Sequence, residues 1–195
     1  MTEPGLRERS KARRRAAIVR AAFTLFAERG YHATTVADIA EAAEVAPRTI
    51  PLYFASKQDI ALSRFTAFAD RVTEAIRNRA PGQSVLDVVE QGLRDKEASV
   101  DEEEIRELAR RMFAANPELR ALRAARMTGT IDESAAAIAH DTGLSVGEVG
   151  ARLAAVAMAS IMIELADTPP GPTHTEGLKV ALRFLRAGLG ALPER

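Results

Sequence analysis

Several residue types that carry catalysis or bind metals are scarce or absent in this 195-residue chain. There is no cysteine, which excludes disulfides, thiolate nucleophiles and cysteine-ligated metal. The three histidines, His32, His140 and His174, are too scattered to indicate a zinc site. No nucleophilic side chain and general base have the spacing that is typical of a catalytic site. We therefore expect no metal, no cofactor and no enzymatic activity.

The chain also lacks a targeting signal and an excess of either charge. The N-terminus is charged rather than signal-like, and no apolar run approaches the roughly 18 residues that span a bilayer. We expect a cytoplasmic protein with no membrane partner. The formal net charge is zero, which argues against a uniformly basic nucleic-acid binder. An apolar fraction of 47% is ample for a buried core.

Residues 35–54 have the pattern of a helix-turn-helix. Ile39 and either Ala42 or Ala43 place small apolar groups on one face of a first short helix, and Val45 lies in the tight connection that follows. Pro47 suits the first turn of a second helix because that position needs no backbone N–H. The second helix would lie across DNA with four side chains facing outward. These are Arg48, Thr49, Leu52 and Tyr53.

A basic segment precedes this motif. Residues 1–20 contain seven basic side chains against Glu3 and Glu8, a net charge of +5. Its position before a helix-turn-helix points to a localised contact with a polyanion. The alternative is a solvated tail that keeps the protein in solution.

Helical periodicity continues through nearly the whole chain, and no strand pattern is convincing. The first helix runs from about Ser10 to a stop at Gly30, and the second is capped by Thr35 with Asp38 in a capping-box spacing. A fourth helix opens at Ser56 and continues to Pro81-Gly82. Longer, alanine-rich helices follow. We expect an all-α protein with a DNA-binding domain at 1–55 and a larger helical body at 56–195.

The last two helices, before and after the proline-rich break at 168–172, carry apolar residues on a 4-3 spacing. Two such seams form half of a four-helix bundle, and a second copy of the chain would supply the other half. The alternative is a core stripe within one chain. We favour a homodimer because a helix-turn-helix protein usually spans two half-sites by two-fold symmetry. The predicted interface residues are Leu153, Val156, Ser160, Leu178, Leu182, Leu185 and Leu189.

Residues 13–62, RRRAAIVRAAFTLFAERGYHATTVADIAEAAEVAPRTIPLYFASKQDIAL, resemble the N-terminal region of the TetR-like bacterial transcriptional regulators. Three features coincide in order: AAFxLFxxxGY at 21–31, TTVxxIA at 34–40 and YFxSK at 53–57. The resemblance implies about nine helices, a homodimer built from the last two, and a ligand pocket in the C-terminal body.

The resemblance also implies individual roles at the DNA. Thr34 or Thr35 and Lys57 would contact phosphates, while Arg48 and Thr49 would face the major groove. The basic residues Arg13 and Arg14 would add phosphate contacts. With the remaining positions of the second helix, the predicted DNA-binding set is Arg13, Arg14, Thr34, Thr35, Pro47, Arg48, Thr49, Leu52, Tyr53 and Lys57.

Two positions depart from the family pattern. Glu44 stands where the family usually has glycine between the two helices, so the turn must accommodate a side chain. Pro51 stands where the family's recognition helix usually carries an aromatic residue. A proline four residues after Pro47 removes a helical hydrogen bond, so we expect a short or bent helix. If these changes weaken DNA binding, the alternative function is a small-molecule or protein-binding module.

Phenylalanine and methionine side chains, which adapt to irregular apolar ligands, indicate a candidate effector site in the C-terminal body. Core packing is the alternative explanation for them. An arginine such as Arg123 would suit a phosphate or carboxylate headgroup. The C-terminal half is also loosely similar to TetR-like regulators with an acyl-CoA-like ligand-binding domain. We therefore expect a repressor that binds a double-stranded DNA operator and is released by a small apolar or amphipathic effector. The predicted ligand-binding residues are Phe65, Phe68, Met112, Phe113, Arg123, Met127, Met158 and Met162.

Overall fold

The computed structural model describes residues 5–98, 103–145, 147 and 149–191, and it contains no strand within these ranges. Glu3, which contributes to the charge of the basic segment, lies outside them. The prediction of an all-α fold is confirmed. The elements are α1 (Leu6–Arg29), α2 (Val36–Ala42), the 3₁₀ helix η1 (Pro47–Leu52), α3 (Lys57–Arg77), α4 (Val85–Ala98), α5 (Glu103–Ala115), α6 (Pro117–Arg126), α7 (Thr128–Thr142), α8 (Val149–Asp167) and α9 (Pro172–Gly190).

The chain forms two compact units whose boundary differs from the one predicted. The first unit comprises the described residues of Met1–Arg64 and Glu102–Ala121, and the second those of Phe65–Asp101 and Leu122–Arg195. The units do not follow the predicted division at residue 55, because α5 packs along α1 and joins the helix-turn-helix in one unit. The division into a DNA-binding domain and a larger body stays a prediction. α1, α2 and η1 alone are too short to bury the apolar face of α1.

Asn116 ties the end of α1 to the junction of α5 and α6. Its side chain is buried, and its amide group donates to the carbonyls of Phe26, at 2.9 Å, and Met112, at 2.7 Å. Its side-chain oxygen accepts a 2.7 Å hydrogen bond from the backbone N–H of Tyr31. One side chain thus bonds three backbone groups from two distant parts of the first unit, and among them the N–H of Tyr31 lies outside any helix.

The core of the second unit is formed by residues of α3, α4, α7, α8 and α9. α8 contributes Ala151, Ala155, Met158, Ala159, Met162 and Leu165 to it and packs against α7 and α9. The alanines allow close approach of the neighbouring helices, and the methionines fill the remaining space.

α8 also corrects an expectation about membrane segments. By length and composition alone, Val149–Asp167 is apolar enough to cross a bilayer. A helix in the core of a globular unit passes the same test, and six residues of α8 are buried in this one. The run was missed because alanine supplies much of its apolar character, with Arg152 and Glu164 interrupting it.

Replacing Asn116 with alanine should lower the free energy of unfolding by about 2–3 kcal/mol, because buried backbone groups lose their partners. Urea denaturation measures this. Asn78→Ala is the matched control, since the Asn78 side chain is exposed and its amide donates to the exposed side chain of Glu74 rather than to backbone groups. That control should change stability by about 0.5 kcal/mol or less. Equal effects of the two substitutions would contradict the role assigned to Asn116.

Candidate nucleic-acid interface and effector body

Residues 6–20 of the basic segment belong to α1 rather than to a tail. α1 begins at Leu6, four residues before the predicted start, and Ile18 is its first buried residue. Residues 6–17 are all exposed, including Arg13 and Arg14. At 1.5 Å per residue, these twelve positions make a rod about 18 Å long. The described part of the basic segment is therefore a solvated helix that fixes the spacing between its positive charges.

The start of α2 is fixed by a capping box, as predicted. The Thr35 hydroxyl accepts from the backbone N–H of Asp38 at 3.1 Å, and the Asp38 carboxylate accepts from the N–H of Thr35 at 2.7 Å. The hydrogen bonds from the Thr35 backbone and side chain, with help from the charge of Arg29, lower the pKa of Asp38. The Thr35 side chain is exposed, but both its hydroxyl and its N–H donate to the Asp38 carboxylate, each at 2.7 Å.

Glu44 occupies the left-handed region of the backbone, with φ of +54°. It is the one non-glycine residue with positive φ among those the structure describes. This is the position where glycine was expected from the family pattern. A left-handed conformation costs an L-residue about 1–2 kcal/mol, so the turn between α2 and η1 stores strain. The side chain itself is exposed.

The recognition segment is a six-residue 3₁₀ helix, which confirms the expectation of a short element at Pro51. The N–H of Thr49 donates to Ala46 at 2.8 Å, and the N–H of Tyr53 donates to Ile50 at 2.9 Å. Pro51 has no N–H for a bond to Pro47, so the α-helical pattern cannot form across it. At about 2 Å per residue, η1 is about 12 Å long.

Three of the five predicted contacts on η1 and its end are fully exposed. Pro47, Arg48 and Leu52 face solvent, and Leu52 is 77% exposed. Thr49 and Tyr53 are half-buried. Ile50 is buried and anchors the segment to its unit. An exposed leucine beside an exposed arginine is a surface suited to thymine methyl groups and guanine edges.

Thr34 and Lys57 support the connection between α1 and α2 rather than presenting free groups to phosphate. Thr34 is 1% exposed, and its hydroxyl donates to the carbonyl of Gly30 at 2.9 Å. The Lys57 ammonium donates to the carbonyls of Tyr31, at 2.7 Å, and Thr34, at 2.8 Å. It also lies 4.3 Å from the centroid of the Tyr31 ring.

These contacts correct the phosphate role expected for Thr34 and reduce the one expected for Lys57. The carbonyls of an irregular connection need donors, and no local sequence pattern reveals that Lys57 supplies them from 23 and 26 residues away. Lys57 keeps one of its three N–H donors. Thr34 is buried and has none to offer.

The predicted ligand-binding residues are divided between the two units. Met112 and Phe113 are buried in the first unit, so they are corrected from ligand candidates to core residues of that unit. The other six lie in the second unit, and all six are buried. They are Phe65, Phe68, Arg123, Met127, Met158 and Met162.

Arg123 is 2% exposed and already neutralised. Its two terminal nitrogens donate to the two carboxylate oxygens of Asp167, each at 2.6 Å. The guanidinium carbon lies 5.7 Å from the centroid of the Phe65 ring. An anionic headgroup at Arg123 must therefore compete with Asp167.

Polar side chains also line the buried face of α7, and the sequence analysis missed them. The hydroxyls of Thr73 and Thr130 are 2.8 Å apart, and both lie within hydrogen-bonding distance of the Ala69 carbonyl. Ser134 is one turn further along, 1% exposed, and its hydroxyl has no hydrogen-bond partner in the described part of the chain. The available signal was a threonine and a serine four residues apart, which places both on one face of a helix.

The proposed seam is exposed on α8 but not on α9. On α8, Leu153 and Val156 are 63% and 40% exposed, and Ser160 also faces solvent. On α9, the expectation is corrected, because the leucines face the core of their own unit. Leu178, Leu182 and Leu185 are buried, and Leu189 is half-buried. The exposed apolar residues of α9 are instead Val180 and Phe184.

Comparison with known proteins places the strongest similarity in the N-terminal region. Residues 18–63 match the family model of bacterial regulatory proteins of the tetR family. An 83-residue segment is 43% identical to the HTH-type transcriptional regulator TcmR of Streptomyces glaucescens and covers 43% of this chain and 37% of that protein. A 76-residue segment is 41% identical to the fatty acid metabolism regulator protein of Bacillus subtilis (strain 168), covering 37% of this chain and 39% of that protein. These matches span well under half the length of either relative.

The fold extends the similarity along the whole chain. The crystal structure of Thermus thermophilus FadR, a TetR-family transcriptional repressor, in complex with lauroyl-CoA, superposes with a TM-score of 0.57. The superposition covers 93% of this chain and 96% of that one at 23% identity. At this identity the comparison establishes a shared fold.

Glu44→Gly should raise the free energy of unfolding by about 0.5–1 kcal/mol, because glycine adopts positive φ without strain and the gain exceeds its entropic cost. Glu41→Gly is the matched control. Glu41 is an exposed glutamate three residues earlier in α2, where glycine should cost about 1 kcal/mol. Chemical denaturation of both variants tests the opposite signs. A loss of stability in both would contradict strain at Glu44.

Proposed function

We propose that this chain, a TetR-like regulator, is a ligand-responsive repressor that binds a palindromic double-stranded DNA operator as a homodimer. The observation that carries the proposal is the exposed surface of η1, which lies within the segment that matches the family model. Arg48 and Leu52 project from it beside the capped start of α2. Such a regulator acts on chromosomal DNA, so we assign it to the bacterial cytoplasm.

Arg48 is the proposed source of sequence selectivity. It is exposed and lies in the first turn of η1, the end of a recognition element that usually contacts bases. Its planar fork matches the two acceptors on the major-groove edge of guanine. Because η1 is only about 12 Å long, few other side chains can reach base edges. Pro47, Thr49, Leu52 and Tyr53 would shape the contact around it.

Phosphate contacts come from the two sides of this surface. Arg13 and Arg14 lie on the exposed half of α1, where a helix holds their charges in place. The remaining N–H of Lys57 supplies a shorter-range donor. The exposed Thr35 hydroxyl would exchange its bond to Asp38 for one to a phosphate. Such contacts set orientation and salt dependence rather than sequence preference.

We propose that the dimer forms through the exposed apolar residues of α8 and α9. Val149, Leu153 and Val156 recur on one face of α8, and Ser160 continues that face. Val180 and Phe184 form a shorter apolar face on α9. Large apolar side chains exposed at helical spacing on adjacent helices are typical of an interface with a second copy.

The effector we propose is an acyl chain that bears an anionic group, such as an acyl-CoA. The second unit buries the side chains of Phe65, Phe68, Met127, Met158 and Met162, which adapt readily to an apolar chain. Arg123 is the buried cation of the same unit that suits a carboxylate or phosphate. The Thermus thermophilus FadR structure with lauroyl-CoA supports this class through its shared fold.

Pro51 and Glu44 favour a second candidate function. They shorten the recognition segment and strain the turn before it, and Lys57 is largely occupied within its own unit. A protein in which these changes have removed operator selectivity would act through its second unit, as a small-molecule or protein-binding module. Its DNA binding would then be weak and independent of sequence.

Arg48→Ala should remove about 1–3 kcal/mol of discrimination between operator and unrelated DNA. Fluorescence anisotropy across a salt series measures this, with DNA from the region upstream of the protein's own coding sequence. Arg14→Ala is the control, because loss of a phosphate contact should weaken all sequences alike and reduce the salt slope by about one. If both variants lost affinity equally for all sequences, Arg48 would not be the selective residue. Weak, unselective binding by the wild-type protein would favour the second candidate function.

Phe184→Glu should shift the protein towards the monomer, because it places a charge in the proposed interface. Light scattering measures the mass in solution. Leu6→Glu is the control, since Leu6 is 80% exposed on the other unit and lies outside the proposed interface. An unchanged mass for Phe184→Glu would exclude α9 from the interface.

A further inference from the structure

Two helices run from the first unit into the second. α3 begins at Lys57 and passes the boundary after Arg64, and α6 begins after Asn116 and passes it after Ala121. At its start, each helix has a residue that is hydrogen bonded to the connection between α1 and α2. Asn116 binds the N–H of Tyr31, and Lys57 binds the carbonyl of Tyr31. The segment that leads into the helix-turn-helix is therefore fixed by the first residue of one helix and the residue that caps the other.

Further along, the same two helices meet at one guanidinium. Arg123 belongs to α6, and its guanidinium lies over the ring of Phe65 on α3. Its fork holds Asp167, the last residue of α8. α8 is also the helix whose exposed face we assign to the dimer. One buried cation thus connects α3, α6 and α8 within the second unit.

Stability alone does not account for this pair. Removing two charges from water costs about as much as their attraction returns, and apolar replacements of buried ion pairs are often neutral or stabilising. A guanidinium can donate two parallel hydrogen bonds to any carboxylate or phosphate, with the same bidentate geometry as in its pairing with Asp167. The Asp167 side chain retains 18% exposure, whereas that of Arg123 retains 3%. A competing anion can therefore approach from the side of Asp167.

We propose that the Arg123–Asp167 pair is an anion-exchangeable latch. The carboxylate or phosphate of the effector takes the place of Asp167 on the Arg123 fork, which releases the end of α8 from α6. The release loosens α6 and α3, and with them the contacts of Asn116 and Lys57 to Tyr31. The consequence for DNA rests on the proposed function, whereas the exchange at Arg123 does not. By linkage, whatever opens the latch weakens operator binding and tightens anion binding together.

D167N removes the competing carboxylate and tests the latch directly. In the full chain, it should weaken operator binding by at least about fivefold in the absence of effector, a typical lower bound for coupling. It should also tighten binding of laurate or lauroyl-CoA by a similar factor in calorimetry. 1-Dodecanol carries the same apolar chain without an anion, and its affinity should not change. If D167N tightens the binding of laurate but not of lauroyl-CoA, the site binds a carboxylate. If it tightens the binding of lauroyl-CoA but not of laurate, the site binds a phosphate.

D132N is the matched control, because it breaks an arginine–aspartate pair in the same unit that is exposed on both sides. Arg152 and Asp132 are bonded at 2.6 Å with side chains 56% and 57% exposed. This substitution should leave operator and probe affinities unchanged. If D167N folds and matches D132N in both affinities, the latch is excluded.

A second variant and a second readout keep the test decisive. The double substitution R123M/D167L replaces the ion pair with apolar side chains of similar size, so it should fold, bind the operator and not respond to the anionic group of either probe. Retained release by an anionic probe would overturn the latch even if D167N does not fold.

If the wild-type protein fails to bind any operator selectively, the proposed function fails but the latch stays testable. Hydrogen exchange at the Tyr31 amide, which is bonded to Asn116, should be faster in D167N than in D132N. Equal exchange together with equal probe affinities would exclude the latch.

Discussion

The backbone of Tyr31 is hydrogen bonded on both sides by side chains that come from distant parts of the chain. Its N–H donates to Asn116, and its carbonyl accepts from Lys57. This connection between α1 and α2 is irregular, so its polar groups have no helical partners and must find them elsewhere. Because α2 begins directly after it, the orientation of the helix-turn-helix on α1 depends on these bonds. The surface that we propose to face DNA is therefore held by residues that do not themselves belong to it.

The surface itself departs from regular helical geometry at two residues. Pro51 removes the hydrogen bond that would continue an α-helix from Pro47, and η1 forms with the tighter 3₁₀ pattern. Glu44 takes a left-handed conformation in the preceding turn. Strained backbone of this kind persists only where its surroundings fix it, and the buried side chains of Ile39 and Ile50 do so on either side. The result is a short, exposed segment in which Arg48 has the main opportunity to distinguish bases.

Local features were predictable from the sequence, whereas distant pairings were not. The capping box at Thr35, the stop at Gly30 and the short helix at Pro51 follow from residues within one turn of each other. The packing of α5 along α1 and the hydrogen bonds of Lys57 to the carbonyls of Tyr31 and Thr34 leave no local pattern. The leucines of α9 show the same limit. A 4-3 spacing predicts that one face of a helix is apolar, but it does not say whether the same chain or a second copy covers that face.

We propose that a symmetric pair of η1 segments selects a DNA sequence. Enrichment of bound fragments from a random DNA library, followed by sequencing, tests this most directly. We expect an enriched motif with two inverted half-sites about one helical turn apart, or a multiple of it. Each half-site should contain a guanine whose enrichment disappears when Arg48 is alanine. The absence of any enriched sequence, or a motif without two-fold symmetry that persists without Arg48, would contradict the account.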